Sequence, residues 1–208
     1  MQLSVPIKAI PGTDQRSTEI LASIRQAFVD KGFDGASMQD LARAAGMSVG
    51  NFYRYFPSKA AIVENMIRLD LAEIQRDFAT ITQSASPLES LRAVIHFRIR
   101  EGKSDQDGDL WTEIQAVARR SPEVRAAAQQ METLIVGYLI DIFAAEAQVP
   151  KEEAIRRFSA SSTFIVVLFR SAVCLNCAQE VDIDDLKTMI LRTIDQTLDD
   201  VTKPPILS

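Results

Sequence analysis

The fold is decided by residues 37–59, which read SMQDLARAAGMSVGNFYRYFPSK. Ser37 and Ser48 are both favourable N-cap residues, because a serine hydroxyl can accept a hydrogen bond from a free amide in the first helical turn. Gly46 lies between them and can adopt the positive φ that a sharp turn needs. The spacing predicts two short helices joined by a tight turn, a helix-turn-helix, whose second helix runs to about Phe56.

The second of these helices has one apolar face and several polar and aromatic side chains elsewhere. Phe52 and Phe56 are four residues apart, so we expect them to face inward against the first helix. Two tyrosines, an arginine and an asparagine are left on outward faces. Exposed aromatic residues usually serve contacts, so this surface favours binding to a partner. The residues expected to face outward are Val49, Gly50, Asn51, Tyr53, Arg54 and Tyr55.

The second helix of a helix-turn-helix lies in the major groove of DNA, where each of these groups has a chemical task. Arg54 can contact guanine O6 and N7, and Asn51 can pair with adenine. The hydroxyls of Tyr53 and Tyr55 can donate to phosphate oxygens, and Lys59 adds a positive charge at the start of the next helix. The predicted DNA-contacting residues are Ser48, Val49, Gly50, Asn51, Tyr53, Arg54, Tyr55 and Lys59.

The start of the second helix adds two expectations. The free amides that follow Ser48 can hold a phosphate, helped by the helix dipole. Gly50 allows the backbone to approach DNA closely. The alternative interpretation is a short amphipathic helix pair inside an ordinary bundle, because aromatic residues at helical spacing are usually core residues.

Helical periodicity continues through the rest of the chain, and no segment shows the strict alternation of a half-buried strand. Serine, proline and glycine residues mark the helix boundaries. We therefore predict an all-α fold with nine helices after a loose N-terminal arm. The arm is expected at 1–15, and the helices near 18–32, 37–45, 48–56, 58–81, 87–101, 109–119, 122–147, 151–178 and 183–201.

Composition and charge limit the class of protein. The 208 residues are 47% hydrophobic and 25% charged, which is typical of a soluble globular chain. No apolar run approaches the roughly 20 residues of a membrane-spanning helix, so we expect no membrane partner. The net charge is −5, but the first 60 residues carry +2 and the remaining 148 carry −7. A cationic N-terminal part can orient the protein towards phosphate.

The two cysteines, Cys174 and Cys177, form a CxxC sequence that is expected deep inside a helix. That position is far from a helix N-terminus, which would lower a thiol pKa, and no second pair or nearby histidine completes a zinc site. We interpret both cysteines as structural, with a redox sensor as the alternative. Two cysteines and no signal peptide also indicate a reducing, cytoplasmic environment.

No catalytic or metal site is expected. Residues 105–109 (DQDGD) are similar to a calcium loop, but their glycine is in the fourth place and not the sixth. A solvated loop with Asp109 as a helix cap is therefore the preferred interpretation. The chain has a single histidine and neither a phosphate-binding glycine loop nor a nucleophile elbow. We predict a protein that is not an enzyme and uses no cofactor.

The C-terminal part has a weaker candidate site. Several aromatic and apolar residues, together with the single histidine, could line an apolar cavity with a few polar groups, the usual form of a small-molecule site. The alternative is that each of these residues belongs to a filled core. The candidate ligand-binding residues are His96, Phe97, Trp111, Met131, Tyr138 and Phe169.

Residues 18–62 resemble the DNA-binding head of TetR-family transcriptional regulators, over about 45 residues without a gap. The resemblance implies an all-α homodimer whose two heads read a palindromic operator. Val49 departs from the pattern, because many members have a lysine or another polar residue there. A valine at this position can instead contact a thymine methyl group. The matched pieces are Ala27-Phe28, Lys31-Gly32-Phe33, Ser37-Met38, Leu41-Ala42, Ala45-Gly46-Met47-Ser48 and Gly50 to Lys59.

The resemblance also implies a division of the chain. A flexible arm is expected at 1–15, a helix-turn-helix DNA-binding domain at 16–62, and a ligand-binding and dimerisation domain at 63–208. In the family the last two helices pair across a two-fold axis. Here their apolar stripes contain Phe158, Ser162, Ile165 and Phe169 on one helix, and Leu186, Ile190, Thr193 and Thr197 on the other.

The leading hypothesis is a ligand-responsive transcriptional regulator, a repressor, that acts in the cytoplasm. Its expected partners are a double-stranded DNA operator, a second copy of the chain and a small apolar effector that releases the DNA. One alternative is a DNA binder that needs no effector. Another is an enzyme or helical adaptor that has lost its affinity for DNA, although the intact Tyr53, Tyr55 and Lys59 argue against it.

Overall fold

The structure is a computed structural model that describes residues 15–101, 104–175 and 181–203. Within these ranges it contains nine α-helices, one 3₁₀ turn and no strand, which confirms the predicted all-α class. We call α1–α3 the head and α4–α9 the body. The helices are α1 (Gln15–Gly35), α2 (Met38–Ala44), α3 (Val49–Tyr55), α4 (Lys59–Gln83), α5 (Pro87–Arg100), α6 (Ser104–Ala118), α7 (Pro122–Glu146), α8 (Lys151–Val173) and α9 (Ile183–Asp199), and the 3₁₀ turn is Asp200–Thr202.

Helix α1 begins at the end of the predicted arm and extends beyond its predicted end. The arm predicted at 1–15 lies outside the described residues except for Gln15, which opens α1. The end of this helix was predicted at Gly32, and there the backbone has φ 67° and ψ 168°, a conformation that favours glycine. One more turn follows as far as Gly35, so α1 breaks at the predicted glycine but continues beyond it.

The start of α6 and the end of α8 differ from the prediction. Helix α6 begins at Ser104, so residues 105–109 are helical, and the predicted solvated loop with Asp109 as a cap is wrong. Helix α8 ends at Val173, earlier than predicted. The two segments meet, because a Cβ atom at Gly108 would lie only 2.2 Å from the carbonyl oxygen of Val173. Such a close approach between distant parts of the chain leaves no signal in the local pattern.

Buried side chains form two clusters. The first joins the head to α4, α6 and α7 and contains Phe28, Phe52 and Phe56. The second lies in the body and contains Phe143 and Phe158, whose ring centroids are 5.7 Å apart. Helix α4 contributes to both clusters, and the domain boundary predicted after residue 62 falls inside this helix. Helix α4 therefore connects the two clusters directly.

The longest helices, α4 and α7, have 25 residues each. That length would match a bilayer, which a helix crosses in about 20 residues. Both helices carry charged residues along their length. Within the described ranges, none of the helices combines sufficient length with the apolar composition that a membrane crossing requires.

Candidate nucleic-acid interface

The first helix of the helix-turn-helix, α2, is fixed at its start by a reciprocal pair of hydrogen bonds. The amide of Ser37 donates to Asp40 Oδ2 and the amide of Asp40 donates to Ser37 Oγ, both at 3.1 Å. Lys31 Nζ lies 2.9 Å from Asp40 Oδ1. The hydrogen bonds from Ser37 and the Lys31 ammonium hold the pKa of the Asp40 carboxyl well below its usual range. The predicted N-cap at Ser37 is confirmed.

The turn between α2 and α3 depends on Gly46, which has φ 63°. Nothing lies within 4 Å of a Cβ built at this glycine, so its backbone conformation, and not a lack of space, is what favours glycine. The amide of Gly46 donates to the Arg43 carbonyl at 3.0 Å, and that of Met47 donates to the Ala42 carbonyl at 2.9 Å. These bonds close the end of α2 and direct the chain into α3.

Helix α3 is anchored by its cap and by one apolar face. Ser48 Oγ accepts a hydrogen bond from the Asn51 amide at 3.3 Å, as predicted for an N-cap. Phe52 and Phe56 are 0% and 1% exposed, with ring centroids 5.5 Å apart, so both face inward as predicted. A helix held in this way presents its remaining side chains in fixed directions.

The opposite side of α3 is open to solvent. Tyr53 is 47% exposed and Val49 is 37% exposed. Gly50, Asn51 and Arg54 are also exposed. Nothing lies within 4 Å of a Cβ built at Gly50, so a flat surface could approach the backbone here. The structure therefore leaves this part of the predicted DNA-contacting surface accessible.

Tyr55 and Lys59 differ from the other predicted contacts. Tyr55 is half-buried and packs against the first cluster, with its ring centroid 6.4 Å from that of Phe56, which corrects the expectation that it faces outward. Lys59 Nζ donates to the carbonyls of Phe33 at 2.6 Å and Asp34 at 3.2 Å, and lies 4.9 Å from the centroid of the Phe33 ring. Lys59 thus stabilises the C-terminal end of α1, a task that the sequence analysis did not assign to it.

The same end of α1 is held by α6 and by the residues that follow it. Glu113 Oε2 accepts a hydrogen bond from the Phe33 amide at 3.1 Å, and Arg120 lies 2.8 Å from the Asp34 carboxylate. We call Lys59, Glu113 and Arg120 the head clamp. Sequence reasoning missed Glu113 and Arg120, because their partners lie about 80 residues away and no local pattern links them.

The polar member of the predicted ligand site belongs to a surface network. His96 Nε2 lies 2.9 and 3.0 Å from the two carboxylate oxygens of Asp195, which joins α5 to α9. Arg92 donates to Asp195 at 2.8 Å and to Asp199 at 2.5 Å. The neighbouring Phe97 is 65% exposed. This pair of predicted residues lies on an outer face of the body.

The other four predicted ligand residues are divided between the two buried clusters. Trp111 and Met131 belong to the first cluster, and Tyr138 and Phe169 to the second. The ring centroid of Tyr138 lies 5.0 Å from that of Phe78, which is a core contact. The six residues therefore do not surround one cavity in the part of the chain that the structure describes, and their contact with a ligand stays a prediction.

An open cleft of about 550 Å³ lies elsewhere in the body, between α6, α7 and α8. Three arginines and one glutamate give its lining a net positive charge, and none of the six predicted ligand residues contributes to it. We call it the arginine cleft. It is lined by Gln115, Ala118, Arg119, Arg125, Ala128, Gln129, Glu132 and Arg170.

The CxxC sequence is only partly described. Cys174 is the C-cap of α8, where its amide donates to the Arg170 carbonyl at 3.1 Å, so the expectation that it lies deep inside a helix is wrong. Its Sγ is half-buried and 3.7 Å from the Gly108 carbonyl oxygen. Cys177 lies outside the described residues. Among the residues whose placement is described, no group of three or more histidine, cysteine or acidic side chains could hold a metal ion.

Comparison with known proteins places the N-terminal part in a family. Residues 20–66 match the family described as bacterial regulatory proteins, tetR family. The HTH-type transcriptional regulator EthR of Mycobacterium tuberculosis is 37% identical over 84 residues, which are 40% of this chain and 38% of that protein. The chain therefore spans less than two thirds of the curated relative that it matches.

Two solved structures share the fold over most of the chain. GusR of Salmonella enterica has a TM-score of 0.65 and 23% identity, covering 96% of this chain and 100% of that one. AibR, solved in complex with isovaleryl coenzyme A and operator DNA, has a TM-score of 0.62 and 16% identity, covering 86% and 98%. At these identities the similarity establishes the fold alone.

Proposed function

We propose that the chain, whose residues 20–66 match the TetR family of bacterial regulatory proteins, is a ligand-responsive transcriptional repressor. In this proposal it acts in the cytoplasm and binds a palindromic DNA operator as a homodimer. The observation that carries the proposal is the exposed face of α3, where Tyr53 and Arg54 stand on a helix held by two buried phenylalanines.

The exposed side chains of α3 suit the major groove. Arg54 is proposed to donate two hydrogen bonds to guanine, and Asn51 to pair with adenine. Val49 can contact a thymine methyl group, and the Tyr53 hydroxyl can donate to a phosphate oxygen. Gly50 allows close approach of the backbone.

Three predicted contacts have a more limited part in this proposal. Ser48 uses its hydroxyl to cap α3, so any phosphate contact would come from the neighbouring free amides. Tyr55 has only part of its ring at the surface, and the Lys59 ammonium is already bonded to two carbonyls. We propose that Tyr55 and Lys59 act mainly by fixing the position of α3 and α4.

A homodimer is supported by one exposed face of α8. Ala160, Thr163, Phe164, Val167 and Ser171 follow helical spacing, are all exposed and carry no charge. Phe164 is 45% exposed and Val167 is 38% exposed, and with their small uncharged neighbours they form a continuous uncharged strip that a second copy can cover. To read a palindromic operator, a dimer formed through this face has to place its two heads on successive turns of DNA, about 34–36 Å apart.

The proposed effector acts on the body. AibR, which shares the fold, was solved with both isovaleryl coenzyme A and operator DNA. In this chain α4 extends from the helix-turn-helix into the body, and the head clamp ties α6 to the end of α1. An effector can shift the heads only if it binds the two arrangements of the protein with different affinity.

The experiment that tests DNA recognition compares binding of selected and random duplexes. Arg54→Ala should cost about 1–3 kcal/mol of discrimination at particular base pairs, because a bidentate contact is lost. Tyr53→Phe should weaken binding to all duplexes by a similar factor, because phosphate contacts carry no base information. Arg100→Ala, which removes an exposed arginine from the body, is the control for charge. Equal losses on selected and random DNA for Arg54→Ala would exclude base recognition by Arg54.

The dimer is tested by light scattering of two matched variants. Phe164→Glu introduces a charge into the proposed interface and should yield monomers. Ile155→Glu makes the same change on the opposite side of α8, at a side chain that is also 45% exposed, and should leave the dimer intact. A dimer that survives Phe164→Glu, or is lost equally in both variants, would contradict this interface.

A further inference from the structure

We propose that the arginine cleft is a binding site for a small organic anion, a molecule with one carboxylate or phosphate group and a short apolar part. The cleft holds about 550 Å³, a volume that suits a small molecule. Its three arginines outnumber its single glutamate, in a chain whose overall charge is negative.

The cleft is built from three helices whose lining residues share helical faces. On α7, residues 125, 128, 129 and 132 follow the i, i+3, i+4, i+7 spacing of one face. Gln115 lies in the last turn of α6, and Arg119 directly follows this helix. Ala118 and Ala128, which are only 8% and 9% exposed, form its apolar base. Such a lining can receive a charged group and a short hydrocarbon together.

Two of the arginines are held in place by the protein. Arg125 donates to the carbonyls of Ala118 and Arg119, each at 2.8 Å, and so closes the end of α6. Arg170 lies 3.2 Å from Glu132 Oε2, so α8 is tied to α7 across the cleft. These contacts set the positions of the two guanidinium groups, and the planar donors of arginine match carboxylate and phosphate oxygens.

Arg119 is the arginine of the cleft whose charge is not balanced by a protein group. Its side chain is exposed, and within the described ranges its guanidinium forms no ion pair or hydrogen bond. Because Glu132 faces Arg170, Arg119 is the arginine whose charge is left for a ligand. An anion in the cleft would therefore be contacted by Arg119, which directly follows α6, and by Arg170 from α8.

The position of the cleft gives an anion a route to the head. Gln115 and Arg119 face the cleft, whereas Glu113 and Arg120, which belong to the head clamp, hold the end of α1. The same short segment of chain thus contacts both the proposed ligand and the head. The release of DNA by the anion rests on the proposed regulatory function, but binding of the anion does not.

Binding is tested by calorimetry on the full chain without DNA, with hexanoate and hexyl phosphate as probes and hexanol as their neutral counterpart. We expect saturable binding of one or both anions and binding of hexanol at least tenfold weaker. Arg119→Gln should weaken anion binding about tenfold, since one charge-assisted hydrogen bond is lost. Arg100→Gln, which removes an exposed arginine of α5, should change it less than twofold.

Two outcomes would overturn the site. Hexanol binding as tightly as the anions, with no effect of Arg119→Gln, would show that apolar burial and not charge drives binding. No heat from any probe at millimolar concentration would show that the cleft holds no such ligand. Both arginine variants must show the circular dichroism spectrum of the parent protein, so that weaker binding reflects the local loss of charge and not misfolding.

A second measurement separates this inference from the proposed function. The anion that binds is added to the complex with a selected duplex, and release of the duplex is followed by fluorescence anisotropy. Release that is lost in Arg119→Gln supports an effector site in the cleft. Anion binding without release would remove the effector role but leave the site, whereas failure to bind any duplex would contradict the proposed regulator and leave the calorimetric result standing.

Discussion

Helix α3 and the arginine cleft both present polar side chains to solvent, but they are assembled in different ways. The exposed face of α3 comes from seven consecutive residues whose directions are set by one cap and one pair of buried phenylalanines. The cleft comes from eight residues between Gln115 and Arg170, which lie on α6, α7 and α8 and in the turn after α6. A surface made within one helix can therefore be predicted from the spacing of its residues, whereas a surface made between helices depends on how those helices pack.

The largest expected change in the free energy of unfolding is a difference between the buried and the exposed side of α3. Phe52→Ala should reduce the free energy of unfolding by about 3–5 kcal/mol, because it removes a fully buried ring and leaves a cavity. The adjacent Tyr53→Ala should change it by less than about 0.5 kcal/mol, since that side chain is largely exposed. Urea denaturation of both variants measures the difference. Similar losses of unfolding free energy in both variants would mean that α3 does not pack against the rest of the protein through one face alone.

The second effect tests a contact that only the packing of the body creates. Gly108→Ala should destabilise the protein by about 1–3 kcal/mol, because the new methyl group would lie 2.2 Å from the Val173 carbonyl oxygen. Gly137→Ala is its matched control inside α7, where nothing lies within 4 Å, and should stabilise the protein by about 0.5–1 kcal/mol. Thermal unfolding distinguishes opposite signs. The same sign for both changes would remove the evidence for close contact between α6 and α8.

A smaller loss of stability is expected from Lys59, which follows the helix-turn-helix but bonds to the end of α1. Lys59→Met should cost about 1 kcal/mol of stability, because the carbonyls of Phe33 and Asp34 lose their donor. If Lys59 acts only through stability, any loss of DNA binding in this variant should become smaller at lower temperature, together with the loss of folded protein. If binding falls while the unfolding curve is unchanged, Lys59 contacts phosphate directly and the capping role is secondary.

The smallest effect concerns Asp40, whose contacts are entirely near in sequence. Because hydrogen bonds from Ser37 and the Lys31 ammonium lower its pKa in the folded state, its carboxylate stabilises the protein above the ordinary carboxyl pKa of about 4. This contribution decreases progressively as the pH falls below about 4, and it is fully lost only below the lowered pKa of the folded state. Asp40→Asn should therefore be less stable than the parent at neutral pH, with a difference that shrinks below about pH 4. Urea titrations between pH 3 and 7 measure it, and a difference independent of pH would contradict the sign.

Much of the fold could be predicted, because its signals are local. Ser37, Gly46 and Ser48 define the helix-turn-helix through hydrogen bonds and backbone angles that involve only near neighbours. The inward positions of Phe52 and Phe56 follow from the same period. Errors arose at Tyr55, at the start of α6 and at the end of α8, where contacts with distant residues decide the outcome.

The candidate sites divide in the same way. The exposed position of Tyr53 and Arg54 follows from helical periodicity, which places them away from the buried phenylalanines. The predicted ligand residues were chosen by residue type alone, and the structure distributes them between two clusters and an outer face. Residue type indicates what a side chain can do, but not which other side chains it meets.

The amino-acid sequence by itself determined the helices, the helix-turn-helix and the exposed face of α3, because helix caps, turn glycines and a 3.6-residue period act within a few residues. Only the tertiary structure decided that Lys59 caps α1, that Glu113 and Arg120 hold the head, and that three arginines from different helices meet in one cleft. These contacts join residues that are far apart along the chain, and their formation depends on how whole helices pack around the two buried clusters.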